Sequence, residues 1–130
     1  MEVLNSRVLL RPTDVVRSRD FYRDVLGLAV YREFGGDEEP GTVFFLGNGL
    51  LEVSGRSDPF GAPPLALWLQ VRDVRAECAR IERAGATVTR APRREPWGLV
   101  EAWIADPDGV RIVLVQVPDD HPLRRDQREL

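Results

Sequence analysis

Apolar and polar residues alternate along much of the chain with the two-residue period of β-strands, and two stretches follow the helical period instead. The clearest strand pair lies within residues 95–117, where two apolar, β-branched and aromatic runs flank Asp106-Pro107-Asp108-Gly109. Pro107 presets its own backbone, the two aspartates can bond to nearby backbone groups, and Gly109 tolerates a positive φ. The segment is therefore predicted to be a β-hairpin.

The first half of the chain predicts a strand, a helix and three more strands. The helix is expected to run from about Val16 to Leu26, with Asp14 as its N-cap and Gly27 as its end. The Asn48-Gly49 pair is typical of a hairpin turn between the last two strands. The predicted strands cover residues 6–12, 28–34, 42–46 and 50–54.

The second half repeats this order. A strand over residues 65–71 precedes a helix from about Val74 to Ala84, which Gly85 ends, and a strand over residues 86–90 precedes the hairpin. Val74, Cys78 and Ile81 share one face of that helix.

Matching landmarks recur at a nearly constant offset. Asp14 and Asp73, the two predicted N-caps, are 59 positions apart, and Gly27 and Gly85 are 58 apart. An internal duplication is the simplest explanation.

A chain of 130 residues with 43% hydrophobic content suits one globular domain. That domain is predicted over residues 1–117, with modules at about 4–54 and 65–117. The linker 55–64 joins them, and the charged tail 118–130 should be loosely ordered.

Charge and hydropathy exclude several classes of partner. The net charge of −3 is spread along the chain, so neither nucleic acid nor a membrane surface is an expected partner. No apolar run approaches the roughly 18 residues of a membrane span, and a cytoplasmic location is expected. Cys78 is expected to be a small buried residue, and His121, the single histidine, lies in the tail and is a poor active-site candidate.

The doubled βαβββ order resembles the glyoxalase/bleomycin-resistance/extradiol-dioxygenase superfamily, also called vicinal oxygen chelate proteins, over about residues 4–117. Phe21-Tyr22-Arg23-Asp24-Val25-Leu26-Gly27-Leu28 and Asp106-Pro107-Asp108-Gly109 carry the resemblance. It implies an α+β fold in which two tandem modules form a cup-shaped mixed sheet around a cavity.

Enzymes of that superfamily hold a divalent metal on His, Gln or Glu side chains from the first and fourth strands of both modules. The equivalent positions here are Arg7, Glu52, Ala66 and Val113. Only Glu52 can donate to a metal, so the sequence predicts no metal and no cofactor.

Aromatic residues are expected to line the cavity instead. If Ala66 faces it, the strand period places Trp68 and Gln70 there too, and Glu52 should lie opposite Phe45. The facing of Trp103 depends on a hairpin register that the sequence leaves open.

The bleomycin-resistance branch carries a tryptophan at the position of Trp68 and is similar in two further segments. These are the aromatic Tyr31–Gly35 segment, which includes Phe34, and Pro96-Trp97-Gly98. Trp97 is either a plug on the core or a platform at the cavity mouth, and the resemblance favours the platform. Arg7 and Glu52 either orient a ligand or pair with each other.

The resulting prediction is a protein that is not an enzyme and that binds and sequesters an aromatic antibiotic or similar natural product, conferring resistance. The alternative is a metal-dependent lyase, isomerase or dioxygenase of the same fold, and a third possibility is an effector-sensing or scaffold protein. The resemblance also implies a homodimer with an exchanged first strand. The predicted ligand-binding residues are Arg7, Phe34, Phe45, Glu52, Trp68, Gln70, Trp97 and Trp103.

Overall fold

The computed structural model describes Glu2 and residues 7–57 and 65–121. The elements in chain order are β1 Val8–Leu10, α1 Val15–Asp20, the π-helical turn Phe21–Val25, β2 Val30–Phe34, β3 Gly41–Leu46, β4 Gly49–Val53, β5 Ala66–Gln70, α2 Val74–Arg83, β6 Val88–Arg94, β7 Val100–Ala105 and β8 Arg111–Gln116.

Two four-stranded sheets share one topology. Their strand orders are β1-β4-β3-β2 and β5-β8-β7-β6. In each sheet the first and fourth strands of the module run parallel and the other pairs run antiparallel. This arrangement confirms the predicted α+β fold of two βαβββ modules, and the equal topology supports a duplication.

The described residues form two compact units. The first contains β1–β4, α1 and the turn Asp106–Gly109, and the second contains β5–β8 and α2. Within the described part of the chain, no helix is long and apolar enough to cross a membrane.

The core of the first unit lies on one face of its sheet. Phe44, Leu51 and Val53 are completely buried there. The ring of Tyr22 lies 6.3 Å from that of Phe44 and 5.2 Å from that of Phe21. Apolar burial on this face leaves the opposite face of the sheet available for polar side chains.

Helix α2 packs against the second sheet as its pattern predicts. Val74, Cys78 and Ile81 are buried, and Asp73 caps the helix by accepting a hydrogen bond from the Ala76 amide at 3.0 Å. Burial raises the pKa of the Cys78 thiol, so this cysteine is the inert residue expected from the sequence.

The first helix differs from its prediction. The expected single helix from Val16 to Leu26 is an α-helix that widens at Phe21, where the Leu26 amide donates to the Phe21 carbonyl at 3.0 Å, five residues back. Tyr22 lies in this wider turn, fully buried and bonded to a distant carboxylate. Tertiary contact at one side chain therefore selects the π-helical turn, which local periodicity does not reveal.

Strand β6 also differs from its prediction, beginning two residues later than the expected 86–90 and continuing to Arg94. It contains Pro92, which cannot donate to a ladder. The strand lies at the sheet edge, and its register shifts twice, between Val88 and Arg90 and between Arg90 and Arg93. Bulged edge strands are where proline is tolerated.

Other strand limits shift by one or two residues. β1 begins at Val8 and β2 at Val30, so both are shorter than the predicted 6–12 and 28–34. The predicted strand start at residue 6 lies outside the described residues, as do the linker residues 58–64 and the tail residues 122–130.

Candidate functional site

A charged cluster lies on the exposed face of the first sheet, opposite the core. Arg7 donates to Glu52 Oε1 at 3.0 Å, and Arg11 donates to Glu52 Oε2 at 3.3 Å. The Ser54 hydroxyl donates to the same Oε2 at 2.6 Å. We call Arg7, Arg11, Glu52 and Ser54 the Glu52 cluster.

The Glu52 cluster holds its carboxylate in the ionised form. The hydrogen bond from Ser54, together with the bonds and charge from Arg7 and Arg11, lowers the pKa of Glu52 although burial opposes ionisation. The Glu52 side chain is 14% exposed and those of Arg7 and Arg11 are 32% and 47% exposed. The carboxylate is thus shielded while both guanidinium groups remain open to an incoming anion.

The register of the first sheet places aromatic residues beside this cluster. Val43, not Phe45, is the direct partner of Glu52, and Phe45 lies on the same face two residues along β3. The expected shared face of Glu52 and Phe45 is therefore present, with the direct pairing corrected. Tyr31 packs edge-on against Phe45 with ring centroids 5.1 Å apart.

Phe34 extends this aromatic face to the edge strand β2. It is paired with Gly41 in the register, and a side chain at Gly41 would collide with the Phe34 ring. The Arg32 guanidinium lies 5.5 Å from the ring centroid. Gly41 therefore provides the space in which Phe34 packs.

The residues at the four positions that the resemblance equates with metal ligands are not a set of metal donors. Arg7 and Glu52 share one face of the first sheet, and Ala66 and Val113 share one face of the second. Guanidinium, methyl and isopropyl groups cannot donate to a divalent cation, and Glu52 already binds three neighbours.

A one-residue shift in register offers no better ligand set. Such a shift would exchange the two faces of each strand and place at the site the residues of the opposite faces, which are apolar. Among the described residues, no group of three His, Cys, Asp or Glu side chains is placed to hold a metal ion. The apolar neighbours in question are Val8, Leu51, Val53, Leu67, Ile112 and Leu114.

The second sheet presents an aromatic face of its own. Trp68 and Trp103 both pair with Val113, and Gln70 pairs with Val115 on the same side. The sequence left the direction of Trp103 open, and the register places it on the same face as Trp68, with Val113 between them. We call Ala66, Trp68, Gln70, Trp103, Arg111 and Val113 the Trp103 face.

Trp97 is not a plug on the core, because 56% of it is exposed. Its indole N–H donates to Glu101 Oε2 at 2.7 Å, and Glu101 is 7% exposed. The His121 Nε2 lies 3.0 Å from the Trp97 carbonyl oxygen and packs beside Gly98. His121 therefore belongs to the Pro-Trp-Gly loop, whereas the sequence placed it in a loose tail.

A buried carboxylate anchors the base of this loop. Glu95 is 3% exposed and accepts hydrogen bonds from Arg90 and Arg93. Burial opposes ionisation of Glu95, but the bonds and charges of the two arginines outweigh it and lower the pKa of Glu95. Arg90, which lies beside Trp103, thus shares the Glu95 carboxylate with Arg93.

Sequence reasoning missed two arginines that the alternation of strand residues would have found. Arg11 lies four residues after Arg7, and Arg111 lies two residues before Val113, so each shares a face with a position already singled out. Both were missed because the alternation was extended from Ala66 and Glu52 but not from Arg7 or Val113.

The family model described as the Glyoxalase/Bleomycin resistance protein/Dioxygenase superfamily matches residues 6–114. The chain therefore belongs to that superfamily.

Two lyases are similar to the chain over most of its length. A probable lactoylglutathione lyase from Vibrio cholerae is 33% identical over 131 aligned positions, covering 90% of this chain and 95% of that protein. A lactoylglutathione lyase from Neisseria meningitidis is 30% identical and covers 83% of this chain and 86% of that protein.

The antibiotic-binding protein TnmS3 from Streptomyces sp. CB03234 is similar in structure. Its TM-score is 0.74 at 24% identity, with 90% of this chain and 98% of that chain covered. Sequence identity at this level shows a shared fold and nothing further.

These relatives correct the functional prediction. The expected non-catalytic protein that sequesters an antibiotic is wrong, as is the expectation that the chain is not an enzyme, because its relatives over most of the chain are named as lyases. The prediction relied on absent metal donors and on a number of aromatic residues. Neither observation excludes chemistry performed by a carboxylate and two guanidinium groups.

Proposed function

We propose that the chain is a lyase that acts on thioesters of the lactoylglutathione type, with Glu52 as its proton-transfer group. The observation that carries the proposal is the relationship to lactoylglutathione lyases at 30% and 33% identity over 83% and 90% of the chain. The Glu52 cluster supplies the residue chemistry.

The substrate named by these relatives dictates the reaction. Lactoylglutathione is a 2-hydroxyacyl thioester, and releasing its thiol without water requires the acyl carbon to become an aldehyde carbon. A proton leaves C2 and one arrives at C1, while the hydroxyl proton on the C2 oxygen is lost and the C1 oxygen gains one, which converts the thioester into the isomeric hemithioacetal. Breaking the carbon–sulfur bond then gives 2-oxopropanal and the thiol, so atoms and electrons balance.

Glu52 has the position and charge that a base for this proton transfer needs. Its lowered pKa keeps the carboxylate ionised at neutral pH. The same hydrogen bonds weaken the affinity of Glu52 for a proton. At least one of them must therefore break when substrate binds, before Glu52 can act as a base. A substrate oxygen that takes Arg7 away from Glu52 removes one of those bonds and restores proton affinity.

Arg7 and Arg11 would stabilise the negative charge that develops on the substrate oxygens. Guanidinium groups bind such oxygens through paired N–H donors, and preorganised donors of this kind supply much of the barrier reduction in proton transfer at carbon. No step is assigned to a metal, because three of the four family positions cannot donate to one.

On each face considered by itself, aromatic residues predicted from sequence are proposed to contact the substrate. Phe34 and Phe45 lie on the face of the Glu52 cluster, and Trp68 and Trp103 lie on the Trp103 face with Gln70. Exposure supports this role for Trp68, which is 51% exposed.

We also propose a homodimer. Each sheet has two outermost strands, β1 and β2 in the first and β5 and β6 in the second, with backbone groups that are unpaired within that sheet. Val30, Tyr31 and Phe34 on β2 are all more than a third exposed. A second copy that covered this edge would bury both the apolar side chains and the unpaired backbone.

Turnover of purified protein tests the proposal. The full-length chain would be mixed with glutathione and 2-oxopropanal, and thioester formation would be followed by ultraviolet absorbance. Parallel reactions would contain a chelator or added Zn²⁺, Ni²⁺ or Mn²⁺. We expect turnover that survives the chelator, and absence of turnover under every condition would contradict the proposal.

A further inference from the structure

The indole ring of Trp103 lies between two guanidinium groups. Arg90 Cζ is 4.4 Å from the ring centroid and Arg111 Cζ is 4.1 Å from it. The three residues come from neighbouring strands, β6, β7 and β8, and Arg90 is the register partner of Trp103. Because sheet hydrogen bonds fix these strands, the stack is held by the backbone as well as by the side chains.

The two arginines of this stack differ in their charge partners. Arg90 pairs with the buried Glu95, and its side chain is 18% exposed. Arg111 is exposed, and no acidic side chain in residues 7–57 or 65–121 forms an ion pair with it. The positive charge of Arg111 is therefore uncompensated within the described chain.

The stack leaves the donors of Arg111 available. A guanidinium that packs over the face of an aromatic ring makes that contact without using its N–H groups as hydrogen-bond donors. Those groups form a fork that matches the two oxygens of a carboxylate. The restraint also lowers the entropy that the side chain loses when an anion binds.

The surroundings of Arg111 leave room for a ligand. Its register partner is Ala66, whose methyl group occupies the position of a family metal ligand. Trp68 lies two residues along β5 on the same face and is half exposed. A small side chain beside the fork and an open indole beyond it suit a ligand with both an acidic group and an apolar part.

We propose that Arg111, supported by Trp103, binds a carboxylate of the ligand, and that Ala66 leaves the space this carboxylate occupies. The identity of the acid rests on the proposed function, since glutathione is the thiol of the relatives' substrate and carries two carboxylates. The site itself is independent of Glu52.

Calorimetric titration of the full-length chain tests this site. Glutathione, its diethyl ester and inorganic phosphate would each be titrated into the wild type, Arg111→Gln and Arg94→Gln. Arg94 is a matched control because it is an exposed arginine of the same sheet whose register partner, Val100, belongs to the opposite face. Near-ultraviolet circular dichroism would confirm that each variant retains its fold.

We expect Arg111→Gln to weaken glutathione binding by about tenfold or more, as loss of a charged hydrogen-bonding pair does. Arg94→Gln should bind like the wild type, and the diester should bind the wild type as weakly as glutathione binds Arg111→Gln. Arg111→Lys should recover only part of the affinity, because lysine keeps the charge but lacks the fork.

Equal affinity of glutathione for the wild type and Arg111→Gln would overturn the site. Arg111-dependent binding of phosphate that is tighter than that of glutathione would overturn the assignment of a carboxylate.

The two proposals fail in distinguishable ways. Arg111-dependent binding of glutathione without lyase turnover would contradict the proposed function and support the site. Lyase turnover with the same KM in the wild type and Arg111→Gln would support the proposed function and contradict the site.

Discussion

At the scale of single residues, the ionised state of Glu52 links the candidate site to the stability of the fold. Its pKa is lowered below the ordinary value of 4.5 by Ser54, Arg7 and Arg11. A group whose pKa is lower in the folded state stabilises that state above its unfolded pKa, and the stabilisation is lost as pH falls through the folded pKa.

We therefore expect the free energy of unfolding of the wild type to decrease as the pH falls below about 4.5. The Glu52→Gln variant should show a smaller decrease. Urea midpoints measured from pH 7 to pH 3 would show the two curves converging as the pH drops. Curves that stay parallel over that range would show that Glu52 is not held ionised by its neighbours.

The exposed tryptophans differ in what their removal should cost. Trp68 is half exposed, whereas the Trp97 N–H satisfies the buried carboxylate of Glu101. Trp68→Ala should raise KM about fivefold or more by removing ligand contact, with less than about 1 kcal/mol lost in stability. Trp97→Ala should lose about 1–3 kcal/mol more stability than Trp68→Ala, because it leaves the Glu101 carboxylate without its hydrogen-bond donor.

Kinetics and urea unfolding of both variants would check this contrast. A Trp68→Ala variant that unfolds early but keeps its KM would identify Trp68 as a structural residue.

At the scale of elements, the Asp106–Gly109 turn is fixed by more than its own sequence. Asp108 accepts hydrogen bonds from Thr13 and Ser18, and Asp106 accepts one from the Tyr22 hydroxyl at 2.8 Å. Burial, followed by the negative charge of Asp106, raises the pKa of Tyr22, so the phenol remains a donor throughout the accessible pH range.

Tyr22→Phe should destabilise the fold by about 1–3 kcal/mol, because it removes a donor from a buried carboxylate while keeping the ring. Tyr31→Phe is the matched control, since Tyr31 is 53% exposed. Thermal or urea unfolding of the two variants provides the measurement. Equal stability of both variants would mean that the Tyr22–Asp106 bond contributes nothing net.

Much of the fold at this scale was predictable because local chemistry and tertiary structure agree. Asp14 and Asp73 cap their helices, and Gly27 and Gly85 adopt the positive φ that ends them. The π-helical turn was not predictable, because it depends on where the Tyr22 side chain is buried. The direction of Trp103 depends on the register of the β7–β8 hairpin, which the sequence left open.

At the scale of the whole molecule, the repeated topology was predictable, because matching landmarks in the sequence recur at a nearly constant offset. Function was harder to predict, because the four metal positions indicate what is missing and not what replaces it. Only the register shows Arg7 and Arg11 converging on Glu52 and Arg111 stacked on Trp103.

The proposed homodimer can be tested through the mass of the protein in solution. Light scattering or sedimentation at tens of micromolar should give about twice the chain mass of 14.7 kDa. A charged substitution in the exposed edge, Tyr31→Glu, should shift the protein toward monomer. A wild-type monomer at that concentration would refute the proposal.

The effect of Glu52→Gln on turnover tests the central claim most directly. The amide keeps the size of the side chain but cannot accept the proton, so kcat for the hemithioacetal of 2-oxopropanal and glutathione should fall about hundredfold or more. Glu33→Gln is the control, because Glu33 is exposed on β2 and pairs with Thr42 on the opposite face. A Glu52→Gln enzyme that retains the kcat of Glu33→Gln would contradict the assignment of Glu52 as the proton-transfer group.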